Sequence, residues 1–145
     1  TEELWKSDGT DWRLIGQRTG VKNANGARYY DVVETNELTL SGADETWAGA
    51  FPAGSLNRAL SLRVTQLVTS GDGATDFDVG DGTTVDMFAN AVAFALNTTK
   101  TPADRTADPN GIAAKDVVIT AVAGTFSGGK VRLCAAYKLL TAPTA

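Results

Sequence analysis

The feature that most constrains the fold is a period of two in the apolar residues, interrupted at short intervals by turn formers. The clearest case runs from Ala59 to Thr69, and its apolar positions are Leu60, Leu62, Val64 and Val68. A second alternating segment runs from Lys130 to Thr141. This period is typical of a β-strand with one buried face. Both segments are therefore predicted to be strands that cover a core.

Two irregularities accompany these strands. Gln66 and Leu67 break the first alternation, which predicts either a β-bulge or a second covered face. Residues 124–129 are predicted to turn into the second strand, with Gly128-Gly129 as hairpin-turn residues. Ser127 and Lys130 have the spacing of a catalytic serine and lysine pair, but the glycines between them favour the turn.

The segment from Val85 to Leu96 is ambiguous, because its sequence fits both a short helix and a strand. As a strand it places four alanines on one face and four larger apolar residues on the other, namely Phe88, Val92, Phe94 and Leu96. The alanines are Ala89, Ala91, Ala93 and Ala95. We prefer the strand, whose small face would allow a second backbone or subunit to approach closely, although alanine also favours a helix.

About eight short strands without intervening helices predict the fold class. The chain has 145 residues, 15 of them glycine, which suits β-structure with tight turns and is enough for one domain with a core. We predict an all-β antiparallel sandwich, jelly-roll-like, over residues 29–145.

The N-terminal residues 1–28 are predicted to form a separate β-hairpin and arm. Trp5 and Trp12 flank Ser7-Asp8-Gly9-Thr10, in which Asp-Gly supplies turn chemistry, while residues 17–27 look like a linker or an extended arm. A lone hairpin is marginally stable, so two tryptophans in it indicate burial by a partner. The predicted partner-binding residues are Trp5, Trp12, Leu14 and Arg18. Trp47, in the sandwich, is predicted to pack in the core or an interface.

Composition argues against most common catalytic chemistries. The chain contains no histidine and a single cysteine, Cys134, so no metal, cofactor or catalytic residue is predicted and the protein is not expected to be an enzyme. Cys134 is predicted to be a small buried apolar group. The segment from Gly71 to Asp86 is rich in aspartate, but its spacing does not match an EF-hand. A solvated loop is therefore preferred to a calcium site.

Charge and hydropathy exclude further classes of function. The net charge is −4, and residues 29–100 carry ten acidic and three basic side chains, which argues against binding to nucleic acid. No apolar stretch reaches the length of a membrane span, and Thr1-Glu2-Glu3-Leu4 does not resemble a signal peptide. We therefore expect synthesis in a cytosol, with the initiator methionine removed before Thr1.

Several segments together resemble β-sandwich modules in structural and fibre proteins of tailed bacteriophages. They are LWKSDGTDWRLIG, TLSGADETWAGAFPAGSL, FDVGDGTTVDMFANAVAF and DVVITAVAGTFSGGKVRLCAAYKLLTAP. The resemblance covers residues 36–143 for the sandwich, and the W-x-SDG-x-x-W hairpin is similar to an N-terminal element of phage fibres. It carries no catalytic or metal residue, and the chain lacks a fibre shaft.

The resemblance implies a virion protein on the capsid surface, made in the host cytoplasm. We favour a head decoration (cement) protein, whose residues 1–28 bind the major capsid protein while the sandwich forms an oligomer. The alternative is a tail-fibre or head-fibre module that recognises a host surface glycan. A homotrimer is expected from the alanine face at residues 89–95, the strand Val117–Val122 that is apolar on both faces, and the resemblance.

Overall fold

The computed structural model describes residues 2–7, 12–22, 24–101 and 113–143, with side chains from residue 24 onward except Thr141. Within these ranges the chain forms ten strands and no helix. The strands are β1 (Glu2–Ser7), β2 (Trp12–Lys22), β3 (Arg28–Thr39), β4 (Asp44–Phe51), β5 (Leu56–Ser70), β6 (Asp76–Gly80), β7 (Ala89–Ala93), β8 (Thr99–Lys100), β9 (Lys115–Ala121) and β10 (Phe126–Thr141). All their pairings are antiparallel, so the predicted all-β antiparallel class is confirmed. The jelly-roll likeness stays a prediction.

The strands form two sheets that enclose one apolar core. The larger sheet has the order β1-β2-β3-β10-β5-β8, and the smaller has the order β4-β9-β6-β7. Leu133 on β10 and Ile119 on β9 are both fully buried. Across the core, the rings of Phe51 on β4 and Tyr137 on β10 have centroids 6.0 Å apart in an edge-on contact. Burial of such apolar area is the main stabilising term of the fold.

Strand β5 confirms the alternation read from the sequence. Leu60, Leu62, Val64 and Val68 are all buried. Against β10, Val64 lies opposite Val131 but Gln66 lies opposite Lys130, so β5 contains one extra residue there. Leu67 is 55% exposed, which shows that the break is a bulge and not a second covered face.

The predicted turn at Gly128-Gly129 is wrong. The turn precedes these glycines, at residues 122–125, and β10 already begins at Phe126. The register against β5 shifts around Gly128 and again around Lys130, so the two glycines form an irregular, bulged start of the strand. Gly129 has φ of 120°, a backbone conformation that glycine adopts without the steric cost of a Cβ.

In the segment Val85–Leu96, the strand preference is confirmed only for Ala89–Ala93. Facing β6, three steps along β7 from Ala89 to Val92 match two steps from Val79 to Phe77, so β7 carries a bulge. Ala91 has φ of 47°, and its N–H donates to the Asp78 carboxylate at 2.8 Å. The predicted faces are therefore wrong in part: Ala89 is buried and Leu96 is 53% exposed.

The predicted linker over residues 17–27 also needs correction. Strand β2 continues to Lys22, and residues Thr19–Lys22 pair with Arg28–Asp31 of β3. Residues 24–26 form the turn between the two strands, with Gly26 at φ of 83°. Polar residues therefore form part of a sheet here, because main-chain hydrogen bonds do not require an apolar side chain. The domain boundary after residue 28 stays a prediction.

Candidate interaction surfaces

The predicted partner-binding residues lie in the β1–β2 hairpin. Trp5 is opposite Leu14, Ser7 is opposite Trp12, and Glu2 is opposite Arg18. The predicted hairpin is therefore present in the main chain. The side chains of these strands lie outside the described residues, so the role of Trp5, Trp12, Leu14 and Arg18 stays a prediction.

Strand β2 is paired with different neighbours along its two halves. Residues 12–18 pair with β1, whereas only the four residues Thr19–Lys22 pair with β3. Strand β3 pairs with β10 along its whole length, from Arg28 to Thr39. Among the strands that the structure describes, none pairs with the other edge of β3 beyond Asp31. We call residues 32–39 on that side the open β3 edge.

The hydrogen-bonding pattern shows which residues of β3 face this edge. Leu40 N donates to Gly129 O at 3.0 Å, which continues the register that places Thr39 opposite Lys130. In an antiparallel ladder, alternate residues bond to one neighbour and the residues between them face the other way. The main-chain groups facing the open β3 edge therefore belong to Val33, Thr35, Glu37 and Thr39.

One edge of the smaller sheet also has no strand paired with it among the residues that the structure describes. Strand β4 is the end strand and pairs with β9 alone. Leu38 on β3 and Trp47 on β4 pack against the core but remain only partly buried. The prediction that Trp47 packs in the core or an interface agrees with this position. On the inner face of β3, Glu34 accepts a hydrogen bond from the Tyr137 hydroxyl at 2.9 Å. β3 and β4 thus each combine an edge that no described strand pairs with and a partly covered apolar side chain.

The outer face of the larger sheet carries charge pairs around Glu37. Glu37 accepts hydrogen bonds from Thr65 at 3.0 Å and from Arg132 at 2.8 Å, and Lys130 lies 4.0 Å away. The hydrogen bond from Thr65, with the two cations, lowers the pKa of Glu37 despite the opposing effect of burial. These contacts join β3, β5 and β10, so Glu37 stabilises the larger sheet.

The aspartates of the glycine-rich segment hold turns by binding main-chain N–H groups. Asp81 accepts from Thr83 N at 3.0 Å and Thr84 N at 2.8 Å, and it also pairs with Lys115. Burial alone would raise the pKa of Asp81, but the hydrogen bonds from Lys115 and from these N–H groups outweigh burial and lower it. Within the described ranges, no group of three or more acidic, cysteine or histidine side chains is placed to hold a metal ion.

Asp72 connects the loop after β5 to the turn before β10. Its carboxylate accepts from Ser70 Oγ at 2.6 Å, from Thr125 N at 2.9 Å and from Thr125 Oγ1 at 2.8 Å. These three hydrogen bonds, that from Ser70 foremost, lower the pKa of Asp72 to about 2. Asp72 therefore stabilises the folded protein only while it is ionised.

Replacing Asp72 with alanine is expected to lower the melting temperature by a few degrees at neutral pH. Because the folded-state pKa is about 2, below the ordinary 3.8, the stabilisation is complete above 3.8 and is lost as pH falls towards 2. Calorimetry from pH 7 to pH 2 checks this, with the exposed Asp44→Ala as the matched control. A difference from wild type that stays constant down to pH 2 would contradict this assignment.

The residues predicted to form an oligomer interface are only partly exposed to solvent. On β9, Val117 is fully buried, whereas Val122, just beyond the strand, is 38% exposed. Ala91, Ala93 and Ala95 are exposed. Cys134 is half-buried instead of buried, because it lies on the outer face of β10 opposite Thr35 and Ser61. No helix among the described residues has the length and apolar character to span a membrane.

Comparison with known proteins identifies solved structures that have a similar fold. No family model matches the chain, and no curated protein matches it. A chain in the acidic stable capsid structure of Helicobacter pylori bacteriophage KHP30 is 19% identical with a TM-score of 0.52, covering 86% of this chain and 97% of that one. A chain of the cyanophage Pam1 capsid asymmetric unit is 17% identical with a TM-score of 0.47, covering 72% and 86%. The protein thus shares its β-fold with a chain of the KHP30 structure.

Proposed function

We propose that the protein is a structural component of a phage virion, specifically a head decoration (cement) protein. It binds the major capsid protein at the capsid surface and stabilises the lattice. The observation that carries this proposal is the fold shared with a chain of the KHP30 capsid structure, which is matched over 97% of its length. The open β3 edge supplies main-chain groups for contacts with other proteins.

In this proposal the hairpin and the sandwich have separate tasks. The β1–β2 hairpin, with Trp5, Trp12, Leu14 and Arg18, contacts the capsid protein or a neighbouring subunit. The sandwich forms a closed oligomer, for which we propose a trimer. Many copies on one lattice allow modest individual contacts to sum to firm attachment. The protein is made in the host cytoplasm and acts without catalysis.

The two tryptophans provide the first test. Replacing Trp5 and Trp12 together with alanine is expected to weaken binding to particles stripped of this protein by at least tenfold, because buried aromatic side chains dominate interface energies. Binding is measured by co-sedimentation and by electron cryomicroscopy of the decorated particles. Leu67→Ala, at an exposed position of β5, is the matched control and should bind as wild type does.

If the double variant decorates particles as well as wild type does, the hairpin does not form the contact with the capsid. Failure of the wild-type protein to bind stripped particles would contradict the proposed function. Binding to a host surface glycan without any binding to capsids would favour the fibre-type alternative, for which the described residues provide no specific observation.

A further inference from the structure

Two strand edges in this chain are open side by side and have matching lengths. Beyond the four residue pairs of Thr19–Lys22 with Arg28–Asp31, strands β2 and β3 are no longer paired. The rest of β2 is Trp12–Arg18, seven residues that pair with β1 along one edge and with no described strand along the other. The rest of β3, residues 32–39, is the open β3 edge and is eight residues long. Within one chain, no residue pairing among the described strands joins Trp12–Arg18 to the open β3 edge.

The main-chain groups facing each open edge can be assigned. Thr19 is opposite Asp31, and the odd-numbered residues of β3 face away from β10. Thr19 therefore bonds towards β3, and Gln17, two residues earlier in β2, faces the same side. Gln17 and Thr35 thus present main-chain donors and acceptors to the space between the strands.

Charge also suits a contact between these two segments. The β2 segment Trp12–Arg18 contains Arg13 and Arg18 and no acidic residue, whereas the open β3 edge contains no basic residue and two acidic ones, Glu34 and Glu37, of which Glu37 already pairs with Arg132 of β10. Exposed strand edges are normally covered, blunted or paired in native proteins. A second copy of this chain can cover the open β3 edge, because its Trp12–Arg18 segment is a strand of similar length and opposite charge.

We propose that the Trp12–Arg18 segment of β2 in one copy adds to the open β3 edge of a second copy. Each subunit then donates one strand and receives one, so the contact is head-to-tail, and the closed oligomer of the proposed function requires that it close into a ring. Main-chain hydrogen bonds supply the affinity, and the opposite charges of the two arginines and of Glu34 favour this pairing. The proposal rests on the closed oligomer of the proposed function but not on capsid attachment.

Two full-length variants block the two partners of this contact separately. Thr35→Pro removes an N–H that faces the open β3 edge and leaves the pairing with β10 intact. Gln17→Pro removes an N–H on the donated segment and leaves the pairing with β1 intact. Each is expected to raise the dissociation constant of the oligomer about tenfold or more, as measured by light scattering across a dilution series.

Mixing the two variants gives the decisive measurement. The Thr35→Pro protein still donates a normal β2, and the Gln17→Pro protein still offers a normal β3 edge. A 1:1 mixture is therefore expected to form a dimer that cannot close, whereas each variant alone remains mostly monomeric. The matched control is Thr46→Pro on β4, whose N–H faces away from β9 because Ala121 N bonds to Ala43 O at 3.1 Å. This control should keep the wild-type oligomer.

A second measurement does not depend on the folding of any variant. In wild-type protein, the amides of Val33, Thr35, Glu37 and Thr39 should exchange slowly with deuterium in the oligomer and faster on dilution. Wild-type protein that is monomeric at micromolar concentration, or proline variants that keep the wild-type dissociation constant, would overturn the proposal. Protection of these amides only on capsids would assign the edge to the capsid protein. An intact ring that fails to bind capsids would contradict only the proposed function.

Discussion

Replacing Gly129 with alanine is expected to lower the free energy of unfolding by about 3 kcal/mol or more. Gly129 has φ of 120°, and a Cβ there would lie 2.6 Å from Val68 Cα and 3.0 Å from Leu67 O. Both of these atoms are main chain of β5, so no side-chain rotation relieves the clash. Urea denaturation followed by tryptophan fluorescence measures the loss.

The adjacent Gly128 provides the control for this prediction. A Cβ at Gly128 would contact only the side chain of Thr69, at 3.3 Å from Oγ1, and its φ lies outside the left-handed region. Gly128→Ala should therefore cost less than about 1 kcal/mol. If the two alanine variants unfold at the same urea concentration, the bulge does not place Gly129 against β5 as described.

The strands themselves could be predicted because burial on one face imposes a local pattern. Leu62 and Val64 alternate with polar residues since β5 has one face on the core and the other outside. Even the break at Gln66 could be located, because a bulge shifts the alternation within a few residues. These properties depend on neighbours close in sequence, so no long-range information was needed.

The bulges at Gly129 and Ala91 could not be predicted, because their causes are distant in sequence. A Gly-Gly pair is typical of a hairpin turn, and only the contact with Val68 shows why a glycine is needed inside a strand. Ala91 bends because its N–H is bound by Asp78 on the adjacent strand. Alanine itself gives no local indication of a positive φ.

The candidate site was predictable to a similar, partial extent. The hairpin followed from two tryptophans around an Asp-Gly turn, and its main-chain pairing is present. The open β3 edge did not follow, because alternation shows that a segment is a strand but not which strands flank it. The pairing of β3 with β10 joins residues that are 91 positions apart at Thr39 and 113 apart at Arg28.

The buried position of Arg58 was not predicted from the sequence, although the period of two in β5 indicates it. Arg58 precedes Leu60 and Leu62 at the same spacing, which places it on the buried face of β5, and it is fully buried. Its Nε donates to Ser55 Oγ at 2.7 Å, and its Nη2 donates to Ala113 O at 2.6 Å. The guanidinium carbon lies 5.8 Å from the centre of the Phe51 ring. Arg58 thereby connects β5 to the loop after β4 and to the residues that lead into β9.

Replacing Arg58 with methionine is expected to lower the free energy of unfolding by about 2 kcal/mol or more. Methionine retains much of the buried aliphatic volume, so the loss reports mainly the charged hydrogen bonds to Ser55 and Ala113. Urea denaturation measures the difference.

Arg63 on the same strand gives the matched comparison for this substitution. Its guanidinium donates to Asn97 Oδ1 at 2.6 Å, but this contact is exposed to solvent. Water replaces an exposed hydrogen bond, so Arg63→Met should change the free energy of unfolding by no more than about 0.5 kcal/mol. If Arg58→Met is equally mild, water or other donors must reach Ser55 and Ala113. The hydrogen bonds of the buried guanidinium would then not be what holds these loops against β5.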